Sequence, residues 1–267
     1  MWFEGSYVAP LRAIEGGIRA RTHLAQVRVG TRIETAYVKA FEAGTDRWLF
    51  NEAAGSLIAR RAGIGTPPGG LMWVPVGALT HLFPDVHFAN FDGMAPCFAT
   101  APVDNGYGIA AVGVGASTGY VSEAARRLFL AWPEFAACVA FDEWVANVDR
   151  HADNVLVGSG GRLVPIDHSD CFGGPRHSDA DFATPLAWFR NRLLEDHLVP
   201  EDLPLPMKTR LAYAAETLPR CFLECLAELE ELRPWLDEPL GLNWLGWLQT
   251  RAEHTAQWVR ERVRLLV

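Results

Sequence analysis

Residues 147–154, "NVDRHADN", gather two aspartates, two asparagines, an arginine and a histidine just ahead of an apolar run. The run "NVLVG", the turn "GSGG" and a second run "RLVPID" predict a β-hairpin. A hairpin brings its ends together, so Asn154 at its mouth and Asp167 at its exit are expected side by side. An amide oxygen and a carboxylate oxygen offered to one point suit a hard cation such as Mg2+, which completes its shell with waters and phosphates. Asp149, a few residues upstream, is left to orient a nucleophilic hydroxyl. Catalytic carboxylate, amide ligand, hairpin, carboxylate ligand is an order used for phosphoryl transfer.

The first third of the chain offers a second half for such a site. Lys39 stands in "AYVKAF", a strand that is otherwise apolar, and Glu52 falls in the first turns of the helix that follows. A strand lysine facing a cleft and paired with a helix carboxylate holds the α- and β-phosphates of ATP in kinases. Gly16 and Gly17 lie one hairpin earlier, where backbone N–H groups can cover the phosphates.

These residues carry a family resemblance. "WVANVDRHADNVLV" followed by "RLVPIDHSDCFGG" resembles the HipA-like kinases and, more distantly, the phosphatidylinositol kinases, which place Asp-Arg-His ahead of the loop asparagine. The likeness is specific over residues 141–174 and weaker over 12–60. It implies Asp149 as catalytic residue, Asn154 and Asp167 as Mg2+ ligands, Lys39 as phosphate-binding lysine and Glu52 as its partner. It further implies an α+β, two-lobed protein-kinase-like fold with a small β-rich N-lobe and a larger, mainly helical C-lobe. ATP and Mg2+ are then the cofactors, and a Ser/Thr hydroxyl of a protein the acceptor. A small-molecule or lipid acceptor and a regulatory protein partner belong to the same expectation. The chain departs from ordinary kinases in three places. "EGGIRART" is not GxGxxG, the second acidic motif reads Asp-His-Ser, and no Ala-Pro-Glu follows.

The elements that must position these groups can be outlined. "THLAQVRV" and "ETAYVKAF" predict strands, with a turn at "IEGGIRA" before them. Residues 45–64 predict a helix with Leu49, Phe50, Ala53, Ala54, Leu57 and Ile58 on one side, capped by Thr45 or Asp46 and ended by Gly63. "LMWVPVGAL" predicts another strand. Residues 84–120, rich in Gly, Pro and Asn, are expected to form the hinge, with an N-lobe over 1–103 and a C-lobe over 104–267. Helices are predicted over "YVSEAARRLFLAW" and "PEFAACVAFDEWVAN", the latter with Pro133 in its first turn. More helix follows after residue 200, and the final one buries Leu245, Leu248, Ala252, Val259, Val263 and Leu266. The tryptophans of this region are expected in the core.

Composition narrows the alternatives. At 267 residues and 49% hydrophobic the chain can build a sizeable core, and a net charge of −8 argues against a nucleic-acid partner. The N-terminus predicts no signal peptide and no run predicts a membrane span, which points to the cytoplasm. Five cysteines without a CxxC pair read as buried thiols. Two other functions fit parts of the pattern. One is a metal phosphohydrolase using His151, His168, Asp149 and Asp167, which leaves Lys39 without a role. The other is a binding module that keeps the kinase fold without transfer. Arg150 and His151 read as braces of the loop.

Overall fold

The computed structural model of the chain describes residues 5–14, 20–109, 123–235 and 238–265. Its N-terminal part is built on an antiparallel sheet. Strands β1 (Gly5–Ala13), β2 (Arg21–Val29) and β3 (Arg32–Ala40) lead into helix α1 (Asp46–Arg61), β4 (Gly69–Pro75), α2 (Val76–Leu82) and β5 (Met94–Thr100). The strand order is β1-β2-β3-β5-β4. Strand side chains alternate between faces. Ala36, Val38 and Ala40 of β3 therefore enter a core with Val27, Val74, Leu79 and Cys97, while Tyr37 and Lys39 turn to the opposite face.

Helix α1 is buried continuously from Leu49 to Ala59, as a helix enclosed by neighbours on all sides must be. Gly63, at φ +75°, ends it as expected: its N–H bonds Arg60 O, and the Ile64 N–H bonds Ala59 O. Its start differs from expectation, because the Thr45 hydroxyl donates to Glu42 O and caps nothing.

Three further expectations need correction. Strand β1 was not legible in "GSYVAPLRA", which pairs with β2 through two irregularities. The run "LMWVPVGAL" is strand only to Pro75, where it turns into α2. Within the expected hinge of residues 84–120, Met94–Thr100 is a sheet strand between β3 and β4. Pro96 is among the prolines that made the stretch read as a hinge. Its lack of an N–H is tolerated because β3 ends at Ala40, opposite Cys97, so β5 has a single neighbour at Pro96.

The remainder is mainly helical. A small sheet joins β6 (Tyr107–Gly108) to the hairpin of β7 (Val155–Val157) and β8 (Leu163–Pro165), between which come α3 (Glu123–Ala131) and α4 (Phe135–Trp144). Pro133 lies before the first turn of α4, not within it. Short helices α5 (Asp179–Phe182) and α6 (Arg192–Glu195) precede α7 (Leu205–Thr217), α8 (Cys221–Glu230) and α9 (Glu238–Arg262). Leu248 and Val259 of α9 and Val263 just beyond it are buried, Leu245 and Ala252 half-buried, and Leu266 lies outside the described residues. Trp244, Trp247 and Trp258 are in the core. So is Arg251, whose guanidinium donates to the carbonyls of Glu143, Trp144, Pro185 and Ala187. All five cysteines are buried free thiols. Among the described residues no helix is long and apolar enough to cross a membrane. The architecture is thus a β-rich N-terminal sheet and a helical C-terminal region, and α1 packs into the same core as α4, α7 and α9.

Candidate active site

Two loops meet beyond the end of α4. Val148 N–H bonds Asp170 O, Phe172 N–H bonds Val145 O and Gly173 N–H bonds Ala146 O. Ala146, Asp167 and Phe172 all have φ between +49° and +62°, a region non-glycine residues enter at some cost. Such strain concentrates where surrounding structure over-determines the backbone.

Arg150 fixes the part of it around Asp167. Fully buried, its Nε lies 3.4 Å from both Asp142 carboxylate oxygens. Its Nη1 donates to the carbonyls of Asn154, Ile166 and Asp167, and its Nη2 to His168 Nδ1 at 2.9 Å. The planar fork of arginine thus holds both ends of the hairpin at once, which lysine cannot do. Burial pushes Asp142 up to about 6, against the pull of Arg150. Arg150→Met should leave that carboxylate buried without its cation, held by the Asn147 amide, and lower unfolding stability by about 3–5 kcal/mol. A urea denaturation series measures this, and a loss below 1 kcal/mol would place the pair among ornaments of the surface type.

The hairpin mouth closes as expected. Val155 pairs with Pro165, and Ile166 N–H bonds Asn154 O at 3.0 Å. Asn154 Nδ2 donates to Asp149 O at 2.8 Å, which turns its Oδ1 the other way as an acceptor. Asp167 Oδ1 accepts from Ser169 Oγ at 2.8 Å. Asp149 Oδ1 accepts from Arg192 Nη1 at 2.5 Å, and His151 Nε2 stands 3.9 Å from Asp149 Oδ2.

Lys39 comes to this mouth from β3. Its Nζ lies 2.9 Å from Glu52 Oε2 and 3.2 Å from Asp167 Oδ1. Burial opposes the charge of Lys39, but Asp167 and Glu52 outweigh it and push its pKa up to about 12. Burial opposes that of Asp167 too, yet Lys39 and the Ser169 hydroxyl hold its carboxyl well below the usual range. Glu52 is deeper, and burial pushes it up to about 7 despite Lys39. Of the two carboxyls, Asp167 is the firm anion. Gly16 and Gly17, expected over the phosphates, lie outside the described residues.

Lys39, Glu52 and Asp167 form the polar end of a cleft of about 340 Å³. Ile14, Tyr37 and Phe98 wall it from the sheet side, Thr100, Ala101 and Val103 close one side, and Leu156 and Ile166 line it from the hairpin. An apolar slot with a few converging polar groups is the usual form of a small-ligand site.

A protein-family model, phosphatidylinositol 3- and 4-kinase, matches residues 120–214, a span that contains Asp149, Asn154 and Asp167 but not Lys39 or Glu52. No curated protein matches the sequence. The structure is similar to the crystal structure of the Helicobacter pylori proinflammatory kinase CtkA, with a TM-score of 0.57 at 11% identity, over 96% of this chain and 97% of that one. The fold is that of a kinase. In this kinase fold β3, α1 and the β7–β8 hairpin deliver Lys39, Glu52 and Asp167 to one point from three separate stretches of chain.

The donor set fits Mg2+. One carboxylate and one amide oxygen, both at the hairpin mouth beside a cleft, are hard oxygen ligands, too few to complete an octahedron without phosphates and water. The phosphohydrolase alternative fares worse. His168 Nδ1 accepts from Arg150, so Nε2 carries the proton and donates to Thr66 Oγ1 at 3.2 Å. Burial and Arg150 hold its pKa well below the usual value, and neither ring nitrogen is open to a metal. Sequence reasoning gave Arg150 only a bracing role and missed Asp142 and Arg192. Asp142 carried a signal, since a carboxylate inside the apolar helix "FAACVAFDEW" must have a partner.

Proposed function

We propose that the protein transfers the γ-phosphoryl group of ATP to a hydroxyl acceptor, in the manner of the HipA-like kinases, with Ser or Thr of a protein as acceptor. One observation carries the reading: Lys39 Nζ stands between Glu52 and Asp167 at the polar end of the cleft. Nothing in ordinary packing requires a buried lysine with two carboxylates beside an open slot, whereas a polyphosphate needs that charge at that place. Lys39 would hold the α- and β-phosphates, with Glu52 fixing its direction. Asn154 and Asp167 would hold Mg2+, which when bound neutralises charge on the β- and γ-phosphates. Asp149 would orient the acceptor hydroxyl and take its proton, with Arg192 holding Oδ1 in place. The apolar walls between Tyr37, Phe98 and Leu156 would receive the base. Cytoplasmic residence and a regulatory protein partner belong to the same reading.

The match to the phosphatidylinositol kinase model favours a second acceptor, a lipid hydroxyl. Incubation with γ-labelled ATP and Mg2+, with lysate proteins in one arm and phosphatidylinositol vesicles in another, separates the two. Label on Ser or Thr supports the first and label in the lipid extract the second. Nucleotide binding with no label anywhere would make the chain a binding module.

The Lys39–Glu52 pair has its own expected signature. Lys39→Ala should weaken nucleotide binding more than Glu52→Ala, because Glu52 acts through Lys39. The double variant should fall short of the sum by about 0.5–3 kcal/mol, as for residues in direct contact. Binding titrations of the four proteins complete the cycle, and strict additivity would separate the two roles.

A further inference from the structure

The loop that carries Asp167 has no regular structure of its own from Ile166 to Ser169 and places two non-glycine residues, Asp167 and Phe172, at φ +62°. Arg150 holds its start at Ile166 and Asp167, and contact with α1 holds residues 168–171. Glu52 Oε2 accepts from His168 N–H at 3.2 Å. Its neighbour Asn51, fully buried, donates through Nδ2 to Ser169 O at 3.1 Å and to Cys171 O at 2.9 Å. Two carbonyls on one side fix the amide's orientation, so Asn51 Oδ1 accepts from His177 Nε2 at 3.2 Å. Arg47, on the same helix, donates to His177 O. One turn beyond Asn51 stands Gly55, where a Cβ would lie 2.7 Å from His168 Cβ and 2.9 Å from Cys171 Sγ. Helix and loop thus touch at a distance only glycine permits.

We propose that Asn51 is a positioning residue for Asp167. It binds the loop to α1 so that Glu52 and Asp167 move as one body, and the site stands assembled without a swing of α1. This rests on the kinase reading above. Asn51 acts on Asp167 as an outer-sphere partner acts on a metal ligand, through orientation.

Asn51→Asp is the sharpest test. It preserves size and the oxygen facing His177, but turns an acceptor toward two carbonyls. The Mg2+ concentration needed for half-maximal ATP binding should rise about 10- to 100-fold, the usual effect of losing such a partner. Saturating Mg2+ should restore nucleotide affinity, which damage to the whole fold would not allow. Without nucleotide or metal, hydrogen exchange of amides 168–173 should quicken while β7 and β8 keep their protection. Gly55→Ala, wedging the same contact from the helix side, should show both effects and supplies the test if Asn51→Asp does not fold. If the wild type binds Mg·ATP and the variant shows unchanged Mg2+ dependence and unchanged exchange, Asn51 has no such role. If the wild type binds no ATP, it is the kinase reading that fails.

Discussion

Asp167→Ala is expected to abolish detectable turnover, a loss of roughly 10³-fold or more by comparison with other charge-stabilising groups in phosphoryl transfer. Asp167 is the firm anion of the site, held ionised by Lys39 and Ser169 against the cost of burial. Removing it takes away the carboxylate proposed for Mg2+ and one of the two partners of Lys39. The lysine then pairs with Glu52 alone and is drawn deeper, away from the phosphates. Alanine also fits poorly at φ +62°, where Asp and Asn are favoured, so part of any effect could come from the backbone. Asp167→Asn removes the charge while keeping that preference, and should be nearly as inactive with a normal unfolding transition. ATP binding by calorimetry at fixed Mg2+, beside initial rates, checks both variants. Wild-type turnover in Asp167→Asn would remove Asp167 from the metal site.

Asp149→Asn should separate binding from chemistry. Asp149 is tied to Arg192 through its carboxylate and, through its backbone, to Asn147 and Asn154. An asparagine oxygen can still accept from Arg192, so the loop should keep its shape. What is lost is an anion able to take the proton of the acceptor hydroxyl, a loss typically of about 10²–10⁴ in rate. ATP affinity should stay within about three-fold, because the missing interaction belongs to the transition state. Single-turnover rates together with nucleotide titration read the two quantities separately. A collapse of ATP binding in a folded Asp149→Asn protein would move Asp149 from the acceptor side to the nucleotide side.

Much of this site was legible because its parts are close in sequence. The segment from Asn147 to Asp170 is one turn and one short hairpin, and alternation with glycine punctuation is enough to place Asn154 beside Asp167. Lys39 and Glu52 follow from a strand and the next helix, whose periods set which residues face the cleft. Local rules also misled where tertiary context outweighed them. Pro96 marks a breaker anywhere but at a position where the neighbouring strand has already ended.

What the sequence by itself determined is therefore the period of β2, β3, α1 and the main helices, part of the turn chemistry and a short-range constellation of Asp149, Asn154 and Asp167. Only the tertiary structure decided which charged groups the core would accept. Arg150 finds Asp142 on α4 and His168 beyond the hairpin, Asn51 finds carbonyls near residue 170, and Arg192 finds Asp149. Arg251 crosses from α9 to backbone near Glu143 and Pro185. Apart from Arg150, read as a brace of its loop, each of these side chains reads as a surface charge or an ordinary helix residue when seen alone, because a buried polar group is stable only with its partner in place. The partner is supplied by packing between distant segments, and no local pattern of residues records it.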